Sequence, residues 1–97
     1  MLFRDITLNH TQRSVRVGKE LVPLTPTEFR ILALLMREPN RVFSRDHIID
    51  HVFGYDFGGF DRSVDTHVSN LRRKLETSGS KSLIKSIYGV GYKLDND

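Results

Sequence analysis

The 97-residue chain contains no cysteine and no tryptophan. Without cysteine, a disulfide scaffold, a thiol nucleophile and a thiolate metal site are all excluded. No apolar run approaches the ~18 residues that a membrane span requires, and the N-terminus has no hydrophobic signal stretch. We therefore expect a soluble, unexported protein that works in the cytoplasm and not at a membrane.

The sequence also lacks the residue groupings of an enzyme. No Ser/His/Asp set, carboxylate pair or phosphate-binding loop stands out. His47 and His51 have the i, i+4 spacing of zinc ligands, but no third ligand is close in sequence. Gly89 and Gly91 lack the third glycine and the following helix of a dinucleotide-binding fingerprint. We expect no catalysis, no cofactor and no metal ion.

What is present fits one small domain over residues 1–97. Hydrophobic residues make up 38% and charged residues 28%, which suffices for one core in a chain too short for two. The net charge of +3 is unevenly distributed, because residues 62–93 carry seven basic and two acidic residues. This asymmetry indicates a polyanionic partner such as a nucleic acid, with an ordinary solvated helix face as the alternative.

The first half of the chain predicts strands followed by a helix. Short apolar runs separated by turn residues fill positions 1–24, with Gly18 in a predicted hairpin turn. Residues 25–28 (Thr-Pro-Thr-Glu) have the form of a capping box, in which the N-cap hydroxyl and the glutamate satisfy each other's backbone amides. A first helix therefore begins here and ends before Pro39.

The second half predicts two more helices and a hairpin. Ser44 is the predicted N-cap of a second helix that Gly54 ends. An aromatic, glycine-rich loop follows, and then a third helix over about 62–76. Two strand-like runs joined by glycines at about 83–94 predict a C-terminal β-hairpin.

The third helix has one apolar and one polar side. At about 100° per residue, four apolar side chains fall within about 40° of one direction. They are Val64, Val68, Leu71 and Leu75. The opposite side carries Arg62, Thr66, Ser69, Asn70 and Arg73. Arginine and asparagine can form paired hydrogen bonds with guanine and adenine in the major groove, so this side favours DNA recognition.

Five sequence motifs, in this order, resemble the effector domain of OmpR/PhoB-type response regulators. They are LTPTEF (24–29), RDHII (45–49), GYDF (54–57), RSVDTHVSNLRRKL (62–75) and GVGY (89–92). The resemblance implies an α+β fold, the winged helix-turn-helix, with a four-stranded N-terminal antiparallel sheet, three helices and a C-terminal β-hairpin wing. It implies sequence-specific binding to double-stranded promoter DNA, commonly as a head-to-tail pair on direct repeats. It also implies a receiver domain, absent from these 97 residues, and a cognate sensor kinase.

Transferred by position, the resemblance implies DNA contacts from the third helix in the major groove and from the wing near the minor groove. With Thr66 and Lys74 added from the helix geometry, the predicted DNA-binding residues are Arg62, Thr66, His67, Ser69, Asn70, Arg72, Arg73, Lys74, Ser86, Tyr88 and Tyr92. The loop between helices two and three is the implied contact with RNA polymerase, and its residues are Gly54, Tyr55, Asp56, Phe57, Gly58, Gly59 and Phe60.

The chain departs from the family pattern at the wing and on the third helix. Many relatives have an arginine where this chain has Tyr88, which can donate to a phosphate but cannot insert a cation into the minor groove. Some relatives have basic residues where this chain has Ser69 and Asn70. We therefore expect a different base preference and a smaller contribution of charge to affinity.

Two other classes of function stay open from the sequence. In the first, the aromatic loop and the third helix dock a protein, and the cationic surface is incidental. A salt titration separates the two, because counterion release makes DNA binding steeply salt-dependent and a mostly apolar protein interface is not. RNA binding is the other class, although no aromatic stacking platform on a sheet is evident.

Overall fold

A computed structural model describes residues 1–53, 64–80 and 83–95. The predicted polymerase-contact loop (54–60) and Arg62 lie outside the described residues, as does the predicted start of the third helix.

The N-terminal sheet has four antiparallel strands in the order β1-β2-β3-β4. They are β1 (Leu2–Phe3), β2 (Ile6–Asn9), β3 (Ser14–Val17) and β4 (Glu20–Leu21). The sequence pattern predicted one continuous strand for the first apolar run, but the chain reverses direction at Arg4, whose φ is 57°. That left-handed backbone conformation makes a tight turn, so one run forms two strands and supplies the fourth strand of the sheet.

Three helices follow or separate the strands: α1 (Pro26–Arg37), α2 (Arg45–Phe53) and α3 (Val64–Thr77). The capping box of α1 is confirmed, since the Glu28 amide donates to Thr25 Oγ1 at 3.1 Å and the Thr25 amide donates to Glu28 Oε1 at 2.9 Å. The predicted N-cap of α2 is also confirmed, because the His47 amide donates to Ser44 Oγ at 3.1 Å. Helix α3 ends one residue later than predicted.

The predicted C-terminal hairpin is part of a three-stranded sheet. Its strands are β5 (Phe43–Ser44), β6 (Ile84–Ile87) and β7 (Gly91–Leu94), in the order β5-β7-β6. We call residues 84–94 the wing. Strand β5 pairs with β7 at Phe43↔Tyr92 and Ser44↔Gly91, so the connection between α1 and α2, where the sequence predicted no strand, anchors the wing.

One hydrophobic core joins the N-terminal sheet, the three helices and the wing sheet. The inward residues of β2 and β3 alternate with exposed ones, as a sheet with one buried face requires. Helix α1 lies at the centre and contacts α2, α3 and β7. Within the described residues, no helix is both long and apolar enough to cross a membrane.

Candidate nucleic-acid interface

Helix α3 is held by its apolar side, as predicted. Its buried residues are Val64, Val68, Leu71 and Leu75, and none of them is more than 4% exposed. Leu71 and Leu75 continue the stripe one and two turns beyond Val68. Burial of this side fixes the rotation of the helix and directs its polar side away from the core.

The polar side of α3 has an exposed centre and two half-buried flanks. Thr66, Ser69 and Arg73 are exposed and lie within about 60° of one another at about 100° per residue. His67, Asn70, Arg72 and Lys74 are half-buried. We call Thr66, Ser69, Asn70 and Arg73 the outward stripe, because the described part of the chain leaves their side chains at least partly open to solvent.

Within the outward stripe, Arg73 Nη2 donates to Asn70 Oδ1 at 2.8 Å. The bond links side chains one turn apart and restrains both of them. An asparagine that reads adenine accepts through its oxygen and donates through its nitrogen. Because the amide oxygen has a second lone pair and the amide nitrogen is not used in this bond, Asn70 retains both functions.

On the wing side of α3, Arg72 connects the helix to strand β6. Its Nη2 donates to Ser86 Oγ at 3.2 Å. Among the described residues, the Arg72 Nε atom is the one buried side-chain nitrogen or oxygen without a hydrogen-bond partner. The predicted DNA contacts Arg72 and Ser86 are thus in contact with each other, and they fix the distance between helix and wing.

On the opposite flank, Lys74 turns toward α1. Its Nζ lies 2.7 Å from Oε1 of Glu28, whose side chain is only 2% exposed. Burial pushes the pKa of Glu28 upward, but the hydrogen bonds from Lys74 and Thr25 outweigh it, and the pKa lies below its usual value. The ammonium of Lys74 is committed to this pair, so we leave it out of the proposed DNA contacts.

A second polar cluster joins α2, α3 and the wing. Arg45 Nε donates to Asp65 Oδ1 at 2.9 Å, and the Tyr92 hydroxyl donates to the same carboxylate oxygen. The Arg45 guanidinium also lies 5.3 Å from the centre of the Tyr92 ring, a cation–π geometry. Tyr92 is buried, so it positions the wing against the first turn of α3 and is not among the proposed DNA contacts.

The charges of this cluster shift its pKa values in opposite directions. The hydrogen bonds from Tyr92 and Arg45 lower the pKa of Asp65. Burial and the Asp65 carboxylate raise the pKa of the Tyr92 hydroxyl. Both shifts preserve the arrangement at neutral pH, with Asp65 ionised and Tyr92 protonated.

The tip of the wing projects into solvent. Tyr88 is fully exposed and Val90 is 49% exposed. Gly89 has a φ of 74°, which the turn between β6 and β7 requires and which glycine adopts without steric cost. The structure therefore presents Tyr88 at the end of the hairpin, with nothing in the described chain covering it.

The histidines have structural contacts. His67 lies at the flank of α3, and its ring centre is 6.1 Å from that of Phe53 at the end of α2. The rings of His47 and His51 are 6.5 Å apart. In the described part of the chain, no group of three or more potential metal ligands comes together.

Sequence reasoning missed the two residues that orient the site from other elements. Arg45 and Glu28 are far from α3 in sequence, and each meets a side chain of α3 only after the helices pack. The capping box correctly predicted the role of Glu28 at the start of α1, but it did not predict the contact of Glu28 with Lys74. No local pattern distinguishes an arginine that pairs 20 residues away from one that is solvated.

Comparison with known proteins finds a matching family model and similar sequences. A family model described as "Transcriptional regulatory protein, C terminal" matches residues 18–94. The chain is 44% identical over 92 residues to the uncharacterized transcriptional regulatory protein YclJ of Bacillus subtilis (strain 168), covering 94% of this chain and 40% of that protein. The chain therefore spans about two fifths of the length of this curated relative.

Two solved structures share the fold. The DNA-binding domain of the response regulator AdeR, solved in complex with an intercistronic region, has a TM-score of 0.89 at 37% identity, with 100% of both chains covered. The DNA-binding domain of Klebsiella pneumoniae RstA, solved in complex with the RstA box, has a TM-score of 0.82 at 30% identity, covering 100% of this chain and 97% of that one. The predicted winged helix-turn-helix fold is confirmed.

Proposed function

Because this chain belongs to the family of C-terminal domains of transcriptional regulatory proteins, we propose that it binds double-stranded DNA with α3 in the major groove and the wing near the minor groove. The family consists of DNA-binding regulators of transcription and not of enzymes. Within it, the chain is of the response-regulator effector type, as the predicted resemblance to the OmpR/PhoB group stated.

The observation that carries the proposal is the outward stripe of α3. Its side chains lie on the side of the helix opposite the core, and the described chain leaves them open. A major groove about 12 Å wide admits one helix, so a reader must present donors and acceptors along a single helix face. Thr66, Ser69, Asn70 and Arg73 satisfy this requirement with neutral and cationic groups and no carboxylate.

We divide the contacts into base readout and positioning. Asn70 offers the acceptor and donor pair that adenine requires, and Thr66 and Ser69 can bond either kind of base edge. Arg73 and the wing hydroxyl of Tyr88 bond phosphates and set the register on the duplex. Arg72, Ser86, Arg45 and Tyr92 hold the helix and the wing at a fixed separation. Arg62 and His67 complete the proposed contact set by position in the family motif.

The wider proposal concerns the biological context. We propose promoter DNA as the target, bound by a head-to-tail pair on direct repeats, with residues 54–60 contacting RNA polymerase. We further propose that a receiver domain and a cognate sensor kinase control this effector in the cytoplasm. What supports these steps is family membership and the similarity to response regulators such as AdeR.

The proposal is tested by a fluorescence anisotropy titration on duplexes selected from a random pool. Arg73→Ala should weaken binding to all duplexes and reduce the slope of log affinity against log salt by about 0.9, as loss of one phosphate contact does. Asn70→Ala should instead change the preference at one base position by about 1 to 3 kcal/mol. Arg16→Ala, which removes an exposed arginine on β3, is the charge-matched control.

Two results would contradict this assignment. If Arg73→Ala and Asn70→Ala both leave duplex affinity unchanged, α3 is not the reading helix. If Arg16→Ala reduces affinity as much as Arg73→Ala, binding reflects total charge and not the outward stripe.

A further inference from the structure

A second cationic surface lies on the side of α1 that faces away from α3. It is a pocket of about 250 Å³ between the β2–β3 turn, α1 and α2. We call it the α1 pocket, and its lining residues are His10, Arg13, Phe29, Arg30, Ala33, Leu34, Arg37 and His51. Three arginines and two histidines thus converge on one cavity, and none of the described residues that line it carries a carboxylate.

The positive charge of the α1 pocket is uncompensated within the described chain. None of the four ion pairs found there includes Arg13, Arg30 or Arg37. Arg13 lies over the Phe29 ring at 5.0 Å from its centre, and Arg37 Nη1 is 3.4 Å from His51 Nε2. Burial, together with the charges of Arg37 and His47, lowers the pKa of His51. Several cations held this close without counter-charge attract an anion.

The orientation of α1 separates this pocket from the proposed DNA interface. Glu28 faces Lys74 of α3. At about 100° per residue, Arg30 and Arg37 lie about 160° to 180° around α1 from Glu28. The outward stripe lies on the far side of α3 from α1. A duplex on that stripe therefore leaves the α1 pocket open.

The spacing of the two α1 arginines indicates the size of the ligand. Arg30 and Arg37 are seven residues apart, or about 10.5 Å along the helix at about 1.5 Å per residue. Ala33 and Leu34 form the floor between them. One phosphate or carboxylate group cannot bond both guanidinium groups in extended conformations, whereas a peptide with two carboxylates at matching separation can. An apolar side chain between the two carboxylates then packs against Ala33 and Leu34.

We propose that the α1 pocket binds an acidic segment of a partner protein, with two carboxylates about 10 Å apart on Arg30 and Arg37. The site is independent of the outward stripe, so the domain holds DNA and the acidic segment at the same time. His10, Arg13 and His51 form the walls, and Arg13 adds a third guanidinium beside the two arginines. The proposed docking mode is a helix or turn laid along α1, as in helix-in-groove recognition.

The probe is a labelled amphipathic peptide with two glutamates seven positions apart and leucines at the third and fourth positions after the first glutamate. Anisotropy at low salt should show binding to the 97-residue chain. Arg30→Ala and Arg37→Ala should each weaken it about three- to fivefold, and the double variant by about tenfold or more. A peptide with glutamines in place of the glutamates should bind at least about tenfold more weakly.

Three controls separate this proposal from the one for DNA. Arg16→Ala removes the same charge outside the pocket and should leave peptide affinity unchanged. The two α1 variants should bind duplex DNA as the parent chain does, and saturating duplex should not displace the peptide. Arg73→Ala should weaken DNA binding and leave peptide binding unchanged, so a failure of the DNA proposal can be distinguished from a failure of this one.

The proposal is overturned if the glutamate and glutamine peptides bind equally, or if Arg16→Ala weakens the peptide as much as Arg30→Ala. It is also overturned if duplex DNA competes with the peptide, because the pocket would then belong to the DNA interface. Full displacement of the peptide by inorganic phosphate at millimolar concentration would also overturn the proposal, because the pocket would then be a site for a single anion. Amide spectra of each variant establish that it is folded before binding is measured.

Discussion

Helices α1 and α3 pack against each other and have opposite relations to solvent. Helix α1 buries eight of its 12 residues, whereas α3 buries four of its 14. Helix α1 is packed against α2, α3 and β7, so packing determines most of its sequence. The apolar side of helix α3 is a single stripe, which leaves the outward stripe available to a ligand.

The same difference appears in how the two helices use charge. The buried polar residue of α1 is Glu28, and its charge is balanced by Lys74 at the flank of α3. The arginines of α1 point to the opposite side, into the α1 pocket. The exposed centre of α3 carries Arg73, which donates to the neutral side chain of Asn70 and forms no ion pair among the described residues. One ion pair thus joins the helices, and each presents its other cations to a different side of the molecule.

The strongest test of this comparison removes buried volume from α1. Leu32 is completely buried, so Leu32→Ala should lower the free energy of unfolding by about 2 to 5 kcal/mol through lost burial and the cavity that remains. Ser69→Ala on the exposed stripe of α3 should change it by less than about 0.5 kcal/mol. Urea denaturation measures both. Equal losses from the two variants would show that α3 is packed as closely as α1.

A second test loosens only the wing beside α3. A Cβ atom on Gly91 would lie 1.9 Å from the backbone oxygen of Phe43, so Gly91→Ala must separate β5 from β7. We expect a loss of about 1 to 3 kcal/mol in stability and weaker duplex binding. Denaturation and cross-strand contacts between Phe43 and Tyr92 in nuclear Overhauser spectra report the two effects.

Val90→Ala is the matched control for the wing, because Val90 is half-exposed on the same hairpin. It should leave stability and the Phe43–Tyr92 contacts unchanged. Retention of those contacts in Gly91→Ala would contradict the proposed anchoring of the wing by β5.

Local chemistry made much of this architecture predictable from the sequence. The capping box at Thr25 and Glu28 requires only residues within one helical turn, and the structure contains both of its hydrogen bonds. The apolar stripe of α3 follows from helical periodicity, so its buried side could be assigned without knowing what covers it. The polar side of α3 was then assigned as the side opposite this apolar stripe.

Contacts between distant segments were not predictable in the same way. Strand β5 has two residues, and it becomes a strand only because β7 pairs with it. A two-residue run has too little periodicity to mark a strand. The Lys74–Glu28 pair spans 46 residues, and Tyr92 reaches Asp65 across 27. The sequence thus predicted which face of α3 is outward and did not predict which of its polar residues are already bonded.

The third test concerns the ion pair between the two helices. Glu28 has a lowered pKa, so its ionisation stabilises the fold above the usual carboxyl pKa of 4.5, and this stability is lost as the pH falls through the folded value. Glu28→Gln should therefore cost about 1 kcal/mol at neutral pH. The difference from the parent chain should shrink toward zero in acid. Urea denaturation across this pH range measures it.

Glu76→Gln provides the control for this pH dependence, because Glu76 is an exposed carboxylate on α3. It should leave the dependence of stability on pH close to that of the parent chain. If Glu28→Gln loses the same stability at every pH, the loss does not arise from the charge of Glu28.

The smallest expected effect concerns the cluster that ties the wing to α3. Burial and the Asp65 carboxylate raise the pKa of Tyr92. The fold is therefore stabilised below the usual tyrosine value of 10.0 and loses this contribution as the pH rises through the folded value. Asp65→Asn keeps a hydrogen-bond acceptor and removes the negative charge. The pKa of Tyr92 should fall toward 10.0, while duplex affinity changes by less than about threefold because the cluster positions the wing without touching DNA. Ultraviolet titration of phenolate absorbance, with Tyr92→Phe identifying the signal, measures the shift. An unchanged pKa would mean that the hydroxyl does not donate to Asp65.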